Sequence, residues 1–161
     1  MIETLRRIVQ AVNEEDSLEN ALELIVREVR AAMMIDVCTV YLRDRRSQRL
    51  VFSATEGLNR DKEGQFSLSI DEGLVGWVAS RRELLNLDDA MNHPSFQLVP
   101  DLGEESYNAF MGAPIIHQRD LLGVLVVQQA ASRRFSDDEE AFLITVSAQL
   151  AGVMAHAEVT R

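Results

Sequence analysis

Apolar residues recur at three- and four-residue steps over two early stretches. Ile2, Leu5, Ile8, Val9 and Val12 mark the first, and Leu18, Leu22, Ile25, Val29 and Met33 the second. That period predicts two amphipathic helices. Asn13 to Asp16 interrupt them, and Asp16 with Glu19 reads as a capping box opening the second helix. At Asp36 the period changes. Val37 to Leu42 is β-branched and aromatic and predicts a strand. A turn from Arg43 to Arg49 leads to a second strand, Leu50 to Thr55, completing a hairpin. Apolar residues on both faces of the first strand predict a sheet covered on both sides.

Phe66 to Ile70 alternates and predicts a short strand. A short helix follows from Gly73 to Ala79, with Asp71 and Glu72 at its start, where the helix dipole favours acids. Leu84 to Leu87 reads as a brief strand. Asp88 to Glu105 has no clear period, and a loop of that length inside a domain is usually functional or mobile. Two longer strands, Ala109 to His117 and Leu121 to Gln129, are joined tightly at Arg119-Asp120. Ser136 and Glu139 form a second capping box, and Leu143, Val146, Leu150, Val153 and Ala157 make a heptad-like seam. The seam reaches the chain end without a C-cap glycine or proline, so the helix is expected to continue in a longer protein.

These elements predict an α+β fold: an antiparallel sheet of about five to six strands, with the terminal helices on one face and a loop-helix segment on the other. One domain is expected over 1–161, with helices at about 1–34, sheet and pocket at about 36–130, and an output helix at about 136–160. The seam, with Leu5, Ile8 and Val12, predicts a homodimer through the terminal helices.

Composition narrows the function. The net charge is −10, from 26 acidic against 16 basic residues, the wrong sign for a phosphate-neutralising nucleic-acid partner or an anionic membrane surface. The densest basic run, Arg43, Arg45, Arg46 and Arg49, reads as a solvated hairpin turn. Cys38 is the one cysteine, so neither an internal disulfide nor a multi-thiolate zinc site is available. No signal peptide or membrane span is read, and a cytoplasmic location is expected.

Catalytic chemistry is not evident. His93, His117 and His156 have no metal-binding spacing, and no metal or catalytic residue is assigned. Gly73-Leu74-Val75-Gly76 lacks the Lys and Ser/Thr of a phosphate loop and reads as close packing of a short helix. Asp137-Asp138 suits a helix start, and Asp88-Asp89 reads as a turn or a ligand contact.

The stretches EGLVGWVASRRELLNLDDAMNHPSF, FMGAPIIHQRDLLGVLVVQQ and RRFSDDEEAFLITVSAQLAGVMAHA resemble the GAF domain pattern. Together with MIETLRRIVQAVNEEDSLENALELIVREV and MIDVCTVYLRD, they are most similar to the N-terminal GAF domains of nitrogen-type phosphoenolpyruvate-protein phosphotransferases. The resemblance implies a GAF-like fold and a sensor of a small molecule, with glutamine or a related metabolite as effector. It also implies downstream catalytic domains that pass a phosphoryl group from phosphoenolpyruvate through a histidine to a nitrogen-branch carrier. It implies magnesium for the whole parent and no cofactor for this chain. Gln128-Gln129 stand where cyclic-nucleotide GAF domains carry an Asn-Lys pair. Cys38 alone cannot run the disulfide relay of GAF sulfoxide reductases, and lies in the wrong strand for bilin attachment. The implied pocket lies between the sheet and the loop-helix segment. Its candidate liners are Tyr41, Trp77, Phe96, Tyr107, Phe110 and Met111, with Asn86, Asp88, Asp89 and Gln128 as polar groups. Asp88 or Asp89 is expected to meet an ammonium group, and the N–H groups after Glu72 a carboxylate.

Overall fold

The first two apolar-periodic stretches form α1 (Ile2–Asn13) and α2 (Leu18–Met33) in a computed structural model that describes residues 2–99, 102 and 107–160. The start of α2 differs from the expected box at Asp16. Ser17 is the N-cap, and its Oγ accepts the Asn20 N–H at 3.1 Å. Serine caps as well as aspartate does, and it sits directly before the first apolar residue, Leu18.

Six strands form one antiparallel sheet. They are β1 (Val37–Arg43), β2 (Leu50–Glu56), β3 (Ser67–Leu68), β4 (Leu85–Leu87), β5 (Ala109–His117) and β6 (Asp120–Gln129). Their order across the sheet is β3-β2-β1-β6-β5-β4. The edge strands β3 and β4 are shorter than their sequence patterns, because each has a partner on one side only. β3 pairs just with Leu50 and Val51.

Side chains along β1 alternate between two separate cores. Cys38 and Val40 face one, Val37 and Tyr41 the other. A bulge at Ser53 of β2 sets Val40 opposite Ala54 but Tyr41 opposite Phe52. The extra residue reverses the parity of β2, so Ala54 joins the first core while Phe52 and Leu50 join the second.

α1, α2 and the last helix, α4 (Asp137–Thr160), cover the first face, as expected. Phe142, Leu143, Val146, Leu150 and Met154 of α4 are all buried there. Its start is the expected capping box. Glu139 accepts the Ser136 N–H at 2.8 Å, and Ser136 Oγ accepts the Glu139 N–H at 3.2 Å. Arg133 donates twice to the same carboxylate, at 2.8 and 2.9 Å. Contrary to the sequence expectation, Asp137–Ala157 has the length and apolarity of a membrane span, with mean hydropathy 1.2. That apolarity is spent on the sheet: α4 lies against β5 and β6 as a core helix.

The second face is covered by α3 (Gly73–Arg81) and by the irregular chain between β4 and β5. A short 3-10 turn, Ala90–Asn92, interrupts that chain, and Leu102 is buried beneath it. Pro100, Gly103 and Glu105 of the expected loop lie outside the described residues.

Candidate functional site

Two glycines set the start of α3. Gly73 has φ +70°, a region that glycine enters without steric penalty. A Cβ on Gly76 would stand 2.5 Å from the carbonyl carbon of Asp71. The G-x-x-G thus packs a helix against its own approach, as its sequence indicated. Glu72, the N-cap, gives α3 no side-chain cap; its carboxylate accepts the Ser69 N–H instead, at 2.9 Å. The first N–H groups of a helix have no partner within it. Here they belong to Gly73, Leu74 and Val75, and all three residues line a cavity against the sheet.

Across that cavity, Tyr41, Gln128 and Phe110 come from the adjacent strands β1, β6 and β5, and Leu68 from β3. The covering chain contributes Ala90, Phe96, Gln97, Val99 and Tyr107. The wall is mainly apolar, with two amides, two phenols and the helix N-terminus as polar groups. The cavity holds about 30 Å³, little more than one water and about a tenth of a small ligand pocket, which starts near 300 Å³.

Of the ten residues expected from sequence, Tyr41, Phe96, Tyr107, Phe110 and Gln128 line this cavity. The other five are elsewhere. Met111 follows Phe110 in β5, so alternation sends it to the opposite core, fully buried beneath the terminal helices. Asn86 also points away. Its Nδ2 donates to the Phe135 carbonyl at 2.9 Å and to Glu140 at 2.7 Å, while its Oδ1 accepts the Phe135 N–H at 3.2 Å. Asp88 and Asp89 are exposed. The Asp88 carbonyl accepts from Ser132, and the Asp89 carboxylate from Asn92, and neither residue lines the cavity. Trp77 packs edge-on against His93, with centroids 6.0 Å apart, and lies 5.0 Å beneath the Arg81 guanidinium. It fastens the covering chain to α3 from outside. Ala90, Gln97 and Val99 escaped the sequence reading because an aperiodic loop carries no signal of which side faces inward.

Other reactive groups stand apart from the cavity. Cys38 is buried in the helix-side core, where burial pushes its thiol pKa up and suppresses the thiolate. Among the described residues, no three His, Cys, Asp or Glu side chains are grouped to hold a metal ion.

The GAF domain family model matches residues 17–154. A protein of the phosphoenolpyruvate-dependent phosphotransferase system from Salmonella typhimurium is 42% identical over 160 residues, covering 99% of this chain and 21% of that protein. The chain therefore spans about a fifth of the curated relative it matches. The GAF domain of an Acinetobacter phosphoenolpyruvate-protein phosphotransferase superimposes with TM-score 0.92 at 46% identity, covering 99% of this chain and 95% of that one. The corresponding domain from Coxiella burnetii gives TM-score 0.95 at 43% identity over the same shares. With this fold, this sheet-side cavity and these relatives, the chain belongs to the GAF domain family and to the GAF domains carried by phosphoenolpyruvate-protein phosphotransferases.

Proposed function

We propose that this chain is the non-catalytic, cytoplasmic sensor of a phosphoenolpyruvate-protein phosphotransferase. It would bind a small carboxylate metabolite, glutamine first among the candidates, and adjust phosphoryl flow to a nitrogen-branch carrier. The observation that carries this reading is the uncapped start of α3, which meets Tyr41, Tyr107 and Gln128 across one cavity. Three N–H groups at a helix N-terminus suit a carboxylate, and the amides and phenols suit a polar tail. No described cavity residue is acidic, so an α-ammonium group must rest on neutral acceptors. A keto acid such as 2-oxoglutarate needs none and is the natural competitor in any test.

A ligand shifts a regulator only by binding its conformations unequally. Entry of a metabolite requires the described covering residues, Ala90 to Val99 and Tyr107, to move outward. The start of this stretch is tied to the residue just before β5, the Ala90 N–H donating to the Asn108 carbonyl at 2.8 Å. β4, just before it, grips the start of α4 through Asn86. Outward movement therefore pulls on the helix that would signal to attached domains.

Thermal melting with glutamine, 2-oxoglutarate and the carboxylate-free analogue 4-aminobutanamide tests the reading. Ligand at about a hundred times its Kd adds about 2.7 kcal/mol, so glutamine should raise Tm and the analogue should not. Flat melts with both carboxylates would remove it.

A second reading, a dimerisation module, draws on the terminal helices, but not on the expected seam: Leu143, Val146, Leu150, Ile8 and Val12 are buried in this chain's own core, because the helices pack on the sheet and on one another. Ile2 is 74% exposed on α1 and Ile144 50% exposed on α4, and Leu5 lines grooves on both sides of α1. Burying that surface against a second copy is favourable. A monomeric mass at micromolar concentration in sedimentation would exclude it.

A further inference from the structure

The turn between β1 and β2 carries Arg43, Arg45, Arg46 and Arg49, which along the chain reads as an ordinary solvated hairpin. The fold changes its company. β1 pairs with β6 so that Leu42 faces Gly123, which brings the β5–β6 turn alongside. Asp120, at the start of β6, accepts from Arg43 at 2.8 Å and from Arg45 at 2.5 Å. Arg119 precedes it, and its carbonyl accepts from Arg82 at the end of α3. Six arginines from three distant stretches thus share one end of the sheet with the carboxylates of Asp44, Glu83 and Asp120, and with Glu72, which accepts the N–H of Ser69 beside Arg49. The chain as a whole has net charge −10. Arg45, Arg46, Arg82 and Arg119 are exposed.

The backbone at this end is costly. Arg82 caps α3 at φ 56°, and Gln118 and Arg119 form a two-residue hairpin turn at φ 49° and 71°. Glycine or asparagine suits both places, and a larger L-residue costs about 1–2 kcal/mol there. Residues held against such strain cluster at functional sites.

We infer that this arginine-rich end of the sheet is a docking face for a carboxylate-rich protein surface. Guanidinium forks match carboxylates geometrically, and Asp120 held between Arg43 and Arg45 shows the match within the molecule. A nucleic acid fits less well. A duplex carries a charge about every 1.7 Å and would run past the patch onto the rest of a chain whose net charge is −10. A folded acidic patch ends where the arginines end. Such faces act mainly on association rate and partner choice.

Fluorescence anisotropy on the whole chain tests this, with a labelled oligoglutamate peptide and a labelled oligothymidine of equal charge. The peptide should bind at low salt, more tightly than the oligothymidine, and weaken towards about 0.15 M salt. Arg46→Glu with Arg119→Glu should lower peptide affinity on the order of tenfold. The charge-matched Arg6→Glu with Arg27→Glu, on exposed helix positions, should lower it much less. No peptide binding, equal or tighter oligothymidine binding, or equal losses in the two double variants would each overturn the inference. The first two outcomes need no variant to fold.

Discussion

One side of the sheet is an apolar core sealed by long helices, and the other is a second core, with Phe52, Val78 and Leu121 as deeply buried, under a thinner and partly polar cover. Beneath the terminal helices, Ile8, Val26, Leu125, Leu143 and Leu150 are at most 1% exposed. Long helices with strong periodicity bury whole stripes there. On the other side one helix of nine residues and an irregular chain cover the sheet. Phe96, Val99 and Tyr107 are only partly buried, Thr39 and Thr55 pair their buried hydroxyls at 2.9 Å, and Gln128 keeps an amide inside. The difference teaches where stability and adaptability reside. Between β4 and β5 the described covering chain buries little beyond Ala90 and Leu102, and a segment with few buried apolar contacts opens at lower free energy, so the small cavity beneath it is the place a ligand can enlarge.

The strongest way to break the comparison is to truncate one apolar residue on each side. Leu150→Ala should lose about 3–5 kcal/mol, the usual range for a fully buried leucine. Phe96→Ala should lose much less, because that ring is already partly exposed. Urea melts of both variants measure this, and equal losses would mean that the cover is as rigid as the core.

Next in size is the tie between the two sides. Asn86→Ala leaves the Phe135 N–H and carbonyl and the Glu140 carboxylate without their partner, which should cost about 1–3 kcal/mol. In the same variant, hydrogen exchange at the start of α4 should stop responding to any metabolite that raises Tm. A response that persists would show that the signal bypasses Asn86.

Gln128→Leu keeps the size of a cavity-lining side chain while removing its amide. Its stability should stay within about 1 kcal/mol of the parent, and the Tm rise with glutamine should vanish. An unchanged rise would move the ligand elsewhere.

The smallest effect is one of pH. The hydrogen bonds from Arg133, then those at Ser136, hold the Glu139 carboxyl below the usual carboxylate range despite its partial burial. A folded-state pKa below the unfolded value stabilises at pH above about 4.3, and that contribution is lost as pH falls towards the folded value. The parent should therefore lose Tm more steeply than Glu139→Gln on acidification below about pH 5. Identical slopes would show that the charge on Glu139 adds nothing measurable.

Much of this was legible in the residues themselves. Periods of three to four and of two, with the capping box at Ser136, located α1, α2, α4 and the four long strands, the acids before Gly73 located α3, and the doubly apolar β1 called for cover on both sides. The ordered motifs carried the GAF resemblance. Five cavity residues were legible because the family pattern locates the pocket between sheet and loop. Alternation says that Phe110 and Met111 face opposite ways, yet it cannot say which of them meets the cavity. That choice, the face taken by Asn86, and the parity reversal at Ser53 depend on strand register and on what packs above each strand. The inward residues of the loop, the size of the cavity and the gathering of Arg82 and Arg119 beside the first turn were likewise decided only by the tertiary structure. Local periodicity encodes which element forms and which positions share a side; contacts between residues tens of positions apart arise only when the sheet is assembled.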